Sequence, residues 1–312
     1  MAGEDSNSSG KIGESIAAAL LEKIGWHHQI HNISIGCNNE NHLNSSGNSK
    51  KSHGEDIVYI YDTPFHDNRT VVAHISVKHK TGGYSERESD VNREFKNYVK
   101  ELEQIIECAK YDKKINSLIE SFDAKVDLQH IGILVWLHND AKTIDKNILP
   151  IIAKSRPDLE GSTPYYIIDS GRASFLLKVI SNLNGKAKEG AYQFYYPKIG
   201  TGVLVDLDRK GNRLPIELVV SDIIPALITI KGENHFYLYS REEFDELTYE
   251  NLMAYALEFT SGLVNKIYIG FPSYNSAKDD NVANEIRLSF KDRNEEISPF
   301  SYNETVLDLF KR

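Results

Sequence analysis

The apolar positions of the first half of the chain alternate between helical and strand periods. In "KIGESIAAALLEKIGW" (11–26), Ile12, Ile16, Leu20 and Ile24 recur every fourth residue with Ala17 and Leu21 beside them. That spacing predicts an amphipathic helix, stopped by Gly25. The polar, Ser-rich residues 1–10 ahead of it are expected to be disordered. "CNNENHLNSSGNSKKSHG" (37–54) is rich in Asn, Ser and Gly and predicts a long loop. Two apolar runs follow, "DIVYIYD" (56–62) and "TVVAHISVKHK" (70–80), on either side of a turn that contains Pro64. They predict a strand hairpin.

A long charged helix is expected over about 85–120, broken near Tyr111 to Lys113. "LQHIGILVWLHN" (128–139) is almost wholly apolar in its centre, which suits a strand buried on both faces. A helix at about 144–153, a strand at 164–170 and a helix at 172–183 complete this half. Helices and strands interleaved in this way predict a layered α/β domain with a mixed sheet flanked by helices, spanning residues 11–185. "NGKAKEG" (184–190) is the best linker. Beyond it, "AYQFYY", "GVLVDLD", "IELVVSDIIPALITI" and "HFYLYS" are short strand-like runs, and "TYENLMAYALEFTSGLV" (248–264) is helical. "KIYIGF" and "EIRLSF" look like a late strand pair. Residues 191–312 are therefore expected to form a smaller α+β domain for interaction or DNA recognition.

Composition narrows the partners. The formal net charge is −9, so any nucleic-acid surface must be a local basic groove. Up to Gly190 there are 23 Lys+Arg against 26 Asp+Glu, and beyond it 13 against 19, which points to the first half as the place for such a groove. No apolar run approaches the roughly 18–20 residues that span a bilayer. No apolar segment of a secretory signal is visible at the N-terminus. The two cysteines, Cys37 and Cys108, do not make a disulfide framework, so a cytoplasmic location is expected.

The hairpin carries the chemistry. Asp56 opens its first strand and Lys78 is set near the end of its second. An acid and a lysine on neighbouring strands can converge at one end of a sheet. With a carboxylate from the preceding helix, they offer oxygen ligands for Mg²⁺ beside an ammonium, the combination that phosphodiester hydrolysis needs. Glu14 in "GESIAAALLEKIGW", Asp56 in "HGEDIVYIYD" and "SVK" (76–78) in "AHISVKHK" stand in the order helix, strand, strand, followed by helix and strand. This arrangement, over roughly residues 11–183, resembles the PD-(D/E)xK nuclease superfamily. The wider set of cues is similar to subunits of a two-component bacterial anti-phage defence nuclease. The resemblance implies a restriction-endonuclease-like core and Mg²⁺- or Mn²⁺-dependent cleavage of DNA. It also implies a co-encoded second subunit or a homo-oligomer. Asp56, Glu14 and the Val77 carbonyl would be metal ligands and Lys78 the catalytic lysine.

One position departs from the pattern: Ser76 stands where the family usually has Glu, Asp or Gln. Three readings follow. The site works with Asp56 and the Val77 carbonyl; or an acid has moved to the next helix, with Glu88 and Glu94 as candidates; or the chain is a non-catalytic subunit of the same fold. Each site residue also has a plain structural use. Asp56 can cap a turn, Lys78 can protect a sheet edge, and Glu14 can complement a helix dipole.

Eight of the eleven histidines lie before Lys80, and His53, beside the Asp56 turn, is a candidate phosphate contact. Lys80 shares a face with Lys78 if the strand is regular, and His79 lies opposite. Arg93, Lys96 and Lys100 line one helical face and could track a phosphate backbone, although a solvated face mixed with Glu94, Glu101 and Glu103 is the commoner use of such a stripe. Cys37, His42 and His53 raise the question of zinc. Cys-x4-His-x10-His matches no established ligand spacing and no fourth ligand is evident, so no bound zinc is expected. A phosphate-binding P-loop and a G-x-S-x-G elbow are both absent.

Overall fold

The structure is a computed structural model that describes residues 2–44, 46–187, 192–198, 209–260, 262–290 and 292–303. The chain divides into two compact units, Met1–Ser174 and Phe175–Arg312.

In the first unit, α1 (Ala2–Lys23) precedes β1 (Ile30–Gly36), β2 (Ser52–Asp62) and β3 (Arg69–Lys80). Then come α2 (Glu88–Ala109), α3 (Lys113–Phe122), β4 (Asp127–His138), α4 (Leu149–Ile152) and β5 (Tyr165–Asp169). The five strands lie in sequence order in one sheet. β1, β2 and β3 are antiparallel neighbours, and β4 and β5 continue from β3 in parallel. This is a mixed sheet flanked by helices, the layered α/β domain that the sequence pattern predicts.

The helix expected from residue 11 begins at Ala2. Its buried stripe is Gly13, Ala17, Leu20, Leu21 and Ile24, whereas Ile12 and Ile16 are 49% and 42% exposed. Small residues at 13 and 17 let the helix lie close to the sheet, which turns the neighbouring isoleucines outward. Gly25 (φ 88°) ends the helix in the left-handed conformation, and Trp26 then buries its ring against Tyr59 with 4.8 Å between centroids.

β1 went unpredicted. Its apolar residues Ile30, Ile33 and Ile35 break strict alternation, and Asn32 between them has φ 54°. The break of the long helix falls as expected. Asp112 caps α3 by accepting from the amides of Lys114 and Ile115. The helix expected at 144–153 is reduced to the single turn of α4, with Pro150 in its first turn. Apolar residues of α2 seal both halves of the sheet. Ile105, Cys108 and Ala109 pack with Val58 and Val72; Val91, Phe95 and Val99 pack with Leu134 and Trp136.

The division between the units falls inside α5 (Ser170–Lys186), which takes up the first residues of the expected linker; 188–190 lie outside the described residues. The second unit has a mixed six-stranded sheet in the order β11-β10-β9-β8-β6-β7. Its strands are β6 (Tyr192–Tyr195), β7 (Lys210–Gly211), β8 (Ile223–Ile230), β9 (Glu233–Ser240), β10 (Lys266–Phe271) and β11 (Glu296–Ser301), with helices α6 (Ile216–Val219), α7 (Glu246–Thr260) and α8 (Ser276–Leu288). The strand expected in "GVLVDLD" (202–208) lies outside the described residues. The run "IELVVSDIIPALITI" is α6 followed by β8, not one strand.

"EIRLSF" is not a strand. Its alternation is an accident of six residues: the buried positions of α8 are Asp279, Ala283 and Ile286, at helical spacing, and Leu288 is 68% exposed. The partner of β10 is β11, and the two are parallel, as are β9 and β10. Parallel neighbours require crossovers, which α7 and α8 supply. Among the described residues no helix is long and apolar enough to cross a membrane.

Candidate active site at the fork of β2 and β3

The site begins with a parting of strands. β2 and β3 pair from Asp62 with Thr70 as far as Ile57 with Ile75. Beyond that point β2 stays with β1, matching Glu55 to Ile33 and His53 to Ile35. β3 stays with β4, matching Ser76 to Leu134 and Lys78 to Trp136. Asp56 is the first residue of β2 past the last pair. Its Oδ2 accepts the amide N–H of Val77 at 2.7 Å. A side-chain oxygen thus replaces the ladder bond where the strands separate, and it fixes the carboxylate at the mouth of the fork.

Strand alternation then sorts the neighbours. Lys78 and Lys80 face α2, where Lys78 Nζ meets Glu101 Oε2 at 2.8 Å and Lys80 Nζ meets the Glu94 carboxylate at 2.5–2.6 Å. The Lys78 ammonium also lies 5.3 Å from the centre of the Tyr98 ring. His79 faces the other way, towards α1 and β4, with Nδ1 2.9 Å from Ser9 Oγ and Nε2 2.9 Å from Asn139 Oδ1. The opposition of His79 to the two lysines is the one expected from a regular strand.

The electrostatics converge on Asp56. Burial raises its pKa, the Val77 amide and the Lys78 charge oppose the rise, and the Glu101 charge adds to it. Glu14 on α1 is raised first by burial and then by the charge of Asp56, against His31 and Lys11. Glu14 and Glu101 therefore bring negative charge to Asp56 from two different helices. Oδ1 of Asp56 has no hydrogen-bond partner among the described residues. Asp56 is thus a partly buried carboxylate with one free oxygen in the field of two others, although among the described residues these three carboxylates are not gathered into a metal-ligand cluster.

Behind the fork, Glu55 Oε1 lies 2.5 Å from His74 Nδ1, and His74 Nε2 lies 2.9 Å from His130 Nδ1. Glu55 and His74 are fully buried, so this chain anchors β2 one residue from Asp56.

The other predicted residues divide. Ser76, in the missing acid's place, is 3% exposed. Glu88 is exposed, and Glu94 is taken by Lys80. Glu101, read in the sequence as part of a solvated face, is the α2 acid beside Lys78. Its signal was its seven-residue spacing from Glu94, which puts both on one helical face. Arg93, Lys96 and Lys100 are all exposed, with Arg93 paired to Asp90 at 2.8 Å. His53 is a correction: it is 4% exposed, with its ring against His42 and Cys108, so it is not at hand to touch a phosphate.

The family model of the GAPS4 protein PD-(D/E)XK nuclease domain matches residues 1–172. The chain belongs to this family. The match takes in α1, the fork and β5, and with them Glu14, Asp56, Lys78 and Glu101. The first unit is thus a GAPS4-type nuclease domain, and the second unit lies beyond the match. No curated protein and no solved structure matches the chain.

Proposed function

We propose that the GAPS4-type domain hydrolyses phosphodiester bonds of DNA with Mg²⁺ or Mn²⁺, in a bacterial anti-phage defence system. The observation that supports this reading most strongly is the Asp56 carboxylate, held by the Val77 amide at the mouth of the fork, with the Lys78 side chain on the adjoining strand. Asp56 and Glu14 would hold the cation, with the Val77 carbonyl and Glu101 as further oxygen donors. A bound Mg²⁺ supplies Lewis-acid stabilisation of the phosphoryl oxygens and a more acidic water.

The chain's own residues do the rest. The Val77 N–H occupies one oxygen of Asp56 and leaves the other directed at the site. Glu101 and the Tyr98 ring steady the Lys78 ammonium, which orients the attacking water or offsets charge at the phosphate. Lys80, Arg93, Lys96 and Lys100 supply cations for the DNA backbone.

A second reading rests on Ser76. A buried hydroxyl is a poor substitute for a metal-binding carboxylate, and a chain with a retired site would serve as a DNA-binding or assembly subunit. Supercoiled plasmid incubated with the protein and Mg²⁺ or Mn²⁺, alone and with any co-encoded partner, separates the two. Metal-dependent nicking or linearisation is the expected result. DNA binding without cleavage in every combination would overturn the enzymatic reading in favour of the second.

A further inference from the structure

A second cluster lies away from the fork. Cys37 follows β1, His42 stands in the long loop, His53 is in β2 and Cys108 is in α2. Four ligand atoms, one from each, lie within 4.8 Å of one another, and all but Cys37 are buried. Their spacing is specific. Zinc bonds of about 2.3 Å to sulfur and about 2.05 Å to nitrogen, at tetrahedral angles, put two sulfurs about 3.8 Å apart, sulfur and nitrogen about 3.55 Å, and two nitrogens about 3.35 Å.

In this chain the two sulfurs are 3.9 Å apart. Cys37 Sγ to His42 Nδ1 is 3.5 Å, Cys108 Sγ to His42 Nδ1 is 3.6 Å and Cys108 Sγ to His53 Nε2 is 3.5 Å. His42 Nδ1 and His53 Nε2 are 3.3 Å apart. These five distances match five of the six edges of a coordination tetrahedron, and the sixth, between Cys37 and His53, is within 4.8 Å. Each thiol also has an ordinary acceptor, Cys37 Sγ the Asn39 carbonyl at 3.4 Å and Cys108 Sγ the Asn38 Oδ1 at 3.2 Å, but those single bonds do not account for the convergence of all four ligand atoms. The surroundings agree: Glu107 Oε2 is 2.9 Å from His42 Nε2, the carboxylate contact that orients a metal-bound imidazole.

We propose that Cys37, His42, His53 and Cys108 bind a structural Zn²⁺. Four protein ligands leave no open coordination position, so the ion is not a second catalytic metal. It ties the end of β1, the loop and the start of β2 to α2, the helix that carries Glu101. It thereby holds the strand that reaches Asp56 three residues after His53. The sequence reading found no fourth ligand because Cys108 lies 55 residues beyond His53.

The test is the metal content of the full chain purified without chelator from zinc-supplemented medium, by plasma mass spectrometry. Stoichiometric zinc is expected, with loss to background in Cys108→Ser. It should be released in step with modification of the two thiols by a mercurial, a readout on the wild type that stands even if Cys108→Ser does not fold. Cobalt substitution should give the intense visible bands of a tetrahedral thiolate site. Asp56→Asn should keep its zinc, which separates this ion from the active-site metal. Substoichiometric zinc in the wild type, a Cys37–Cys108 disulfide in its place, or loss of zinc in Asp56→Asn would overturn the assignment.

Discussion

Gly13→Ala tests how closely α1 must lie on β3 for the site to form. A Cβ built at Gly13 stands 2.3 Å from the Cβ of His79 and 3.0 Å from its Cγ. Carbon atoms in contact sit roughly 3.5 Å apart, so the helix must lift by about 1 Å. The His79 ring cannot swing aside, since Ser9 and Asn139 hold its two nitrogens and a Cβ moves only with the backbone. Two energies compete. Alanine is favoured over glycine inside a helix by about 1 kcal/mol. Overpacking of this kind costs about 1–3 kcal/mol. The net loss of stability is therefore about 0–2 kcal/mol. Glu14 is the next residue, and a misplacement of about 1 Å in a catalytic constellation lowers turnover on the order of 100-fold. Urea melts and initial rates of plasmid cleavage measure the two effects. A variant that is about 1 kcal/mol more stable and fully active would refute the reasoning, because the close approach would then set neither the packing nor the position of Glu14.

Two further variants probe the charges. Asp56→Asn keeps an acceptor for the Val77 amide and removes a carboxylate whose pKa is raised by folding. That penalty is absent below the carboxyl's ordinary range and grows as pH rises through the folded value, so in magnesium-free buffer at neutral pH the variant should melt above wild type while cleavage is lost; a lower melting temperature would contradict the sign. Glu101 is 46% exposed, so Glu101→Gln should change stability by less than about 1 kcal/mol. It should nevertheless raise the Mg²⁺ concentration needed for half-maximal cleavage, and an unchanged metal titration would remove Glu101 from the site.

Local pattern carried much of the fold. β2, β3 and β4 are contiguous apolar runs, and the break between α2 and α3 is marked by polar residues with a capping aspartate. β1 was hidden by one left-handed residue in a short strand. In α8, six alternating residues imitated a strand because period 2 and period 3.6 are hard to tell apart over that length. The order Glu14, Asp56, Lys78 was legible because a hairpin brings neighbours in sequence together in space. Glu101 was less so: its spacing from Glu94 puts both on one helical face, but a glutamate on a charged face does not show which partner that face meets. The Cys₂His₂ cluster was half legible: three of its ligands lie on or beside one loop, and only packing of α2 against β1 and β2 brings the fourth.

The central claim is that the fork of β2 and β3 is a nuclease site, and Lys78→Ala tests it most directly. Lys78 is half-buried, with Glu101 and the Tyr98 ring as its direct contacts among the described residues, so its removal should leave fold and DNA binding intact. Plasmid cleavage with Mg²⁺ or Mn²⁺, in parallel with a DNA-binding assay on the same preparations, should show cutting by wild type and none by the variant, with equal binding. Undiminished cleavage by Lys78→Ala would contradict the account and place the chemistry elsewhere in the chain.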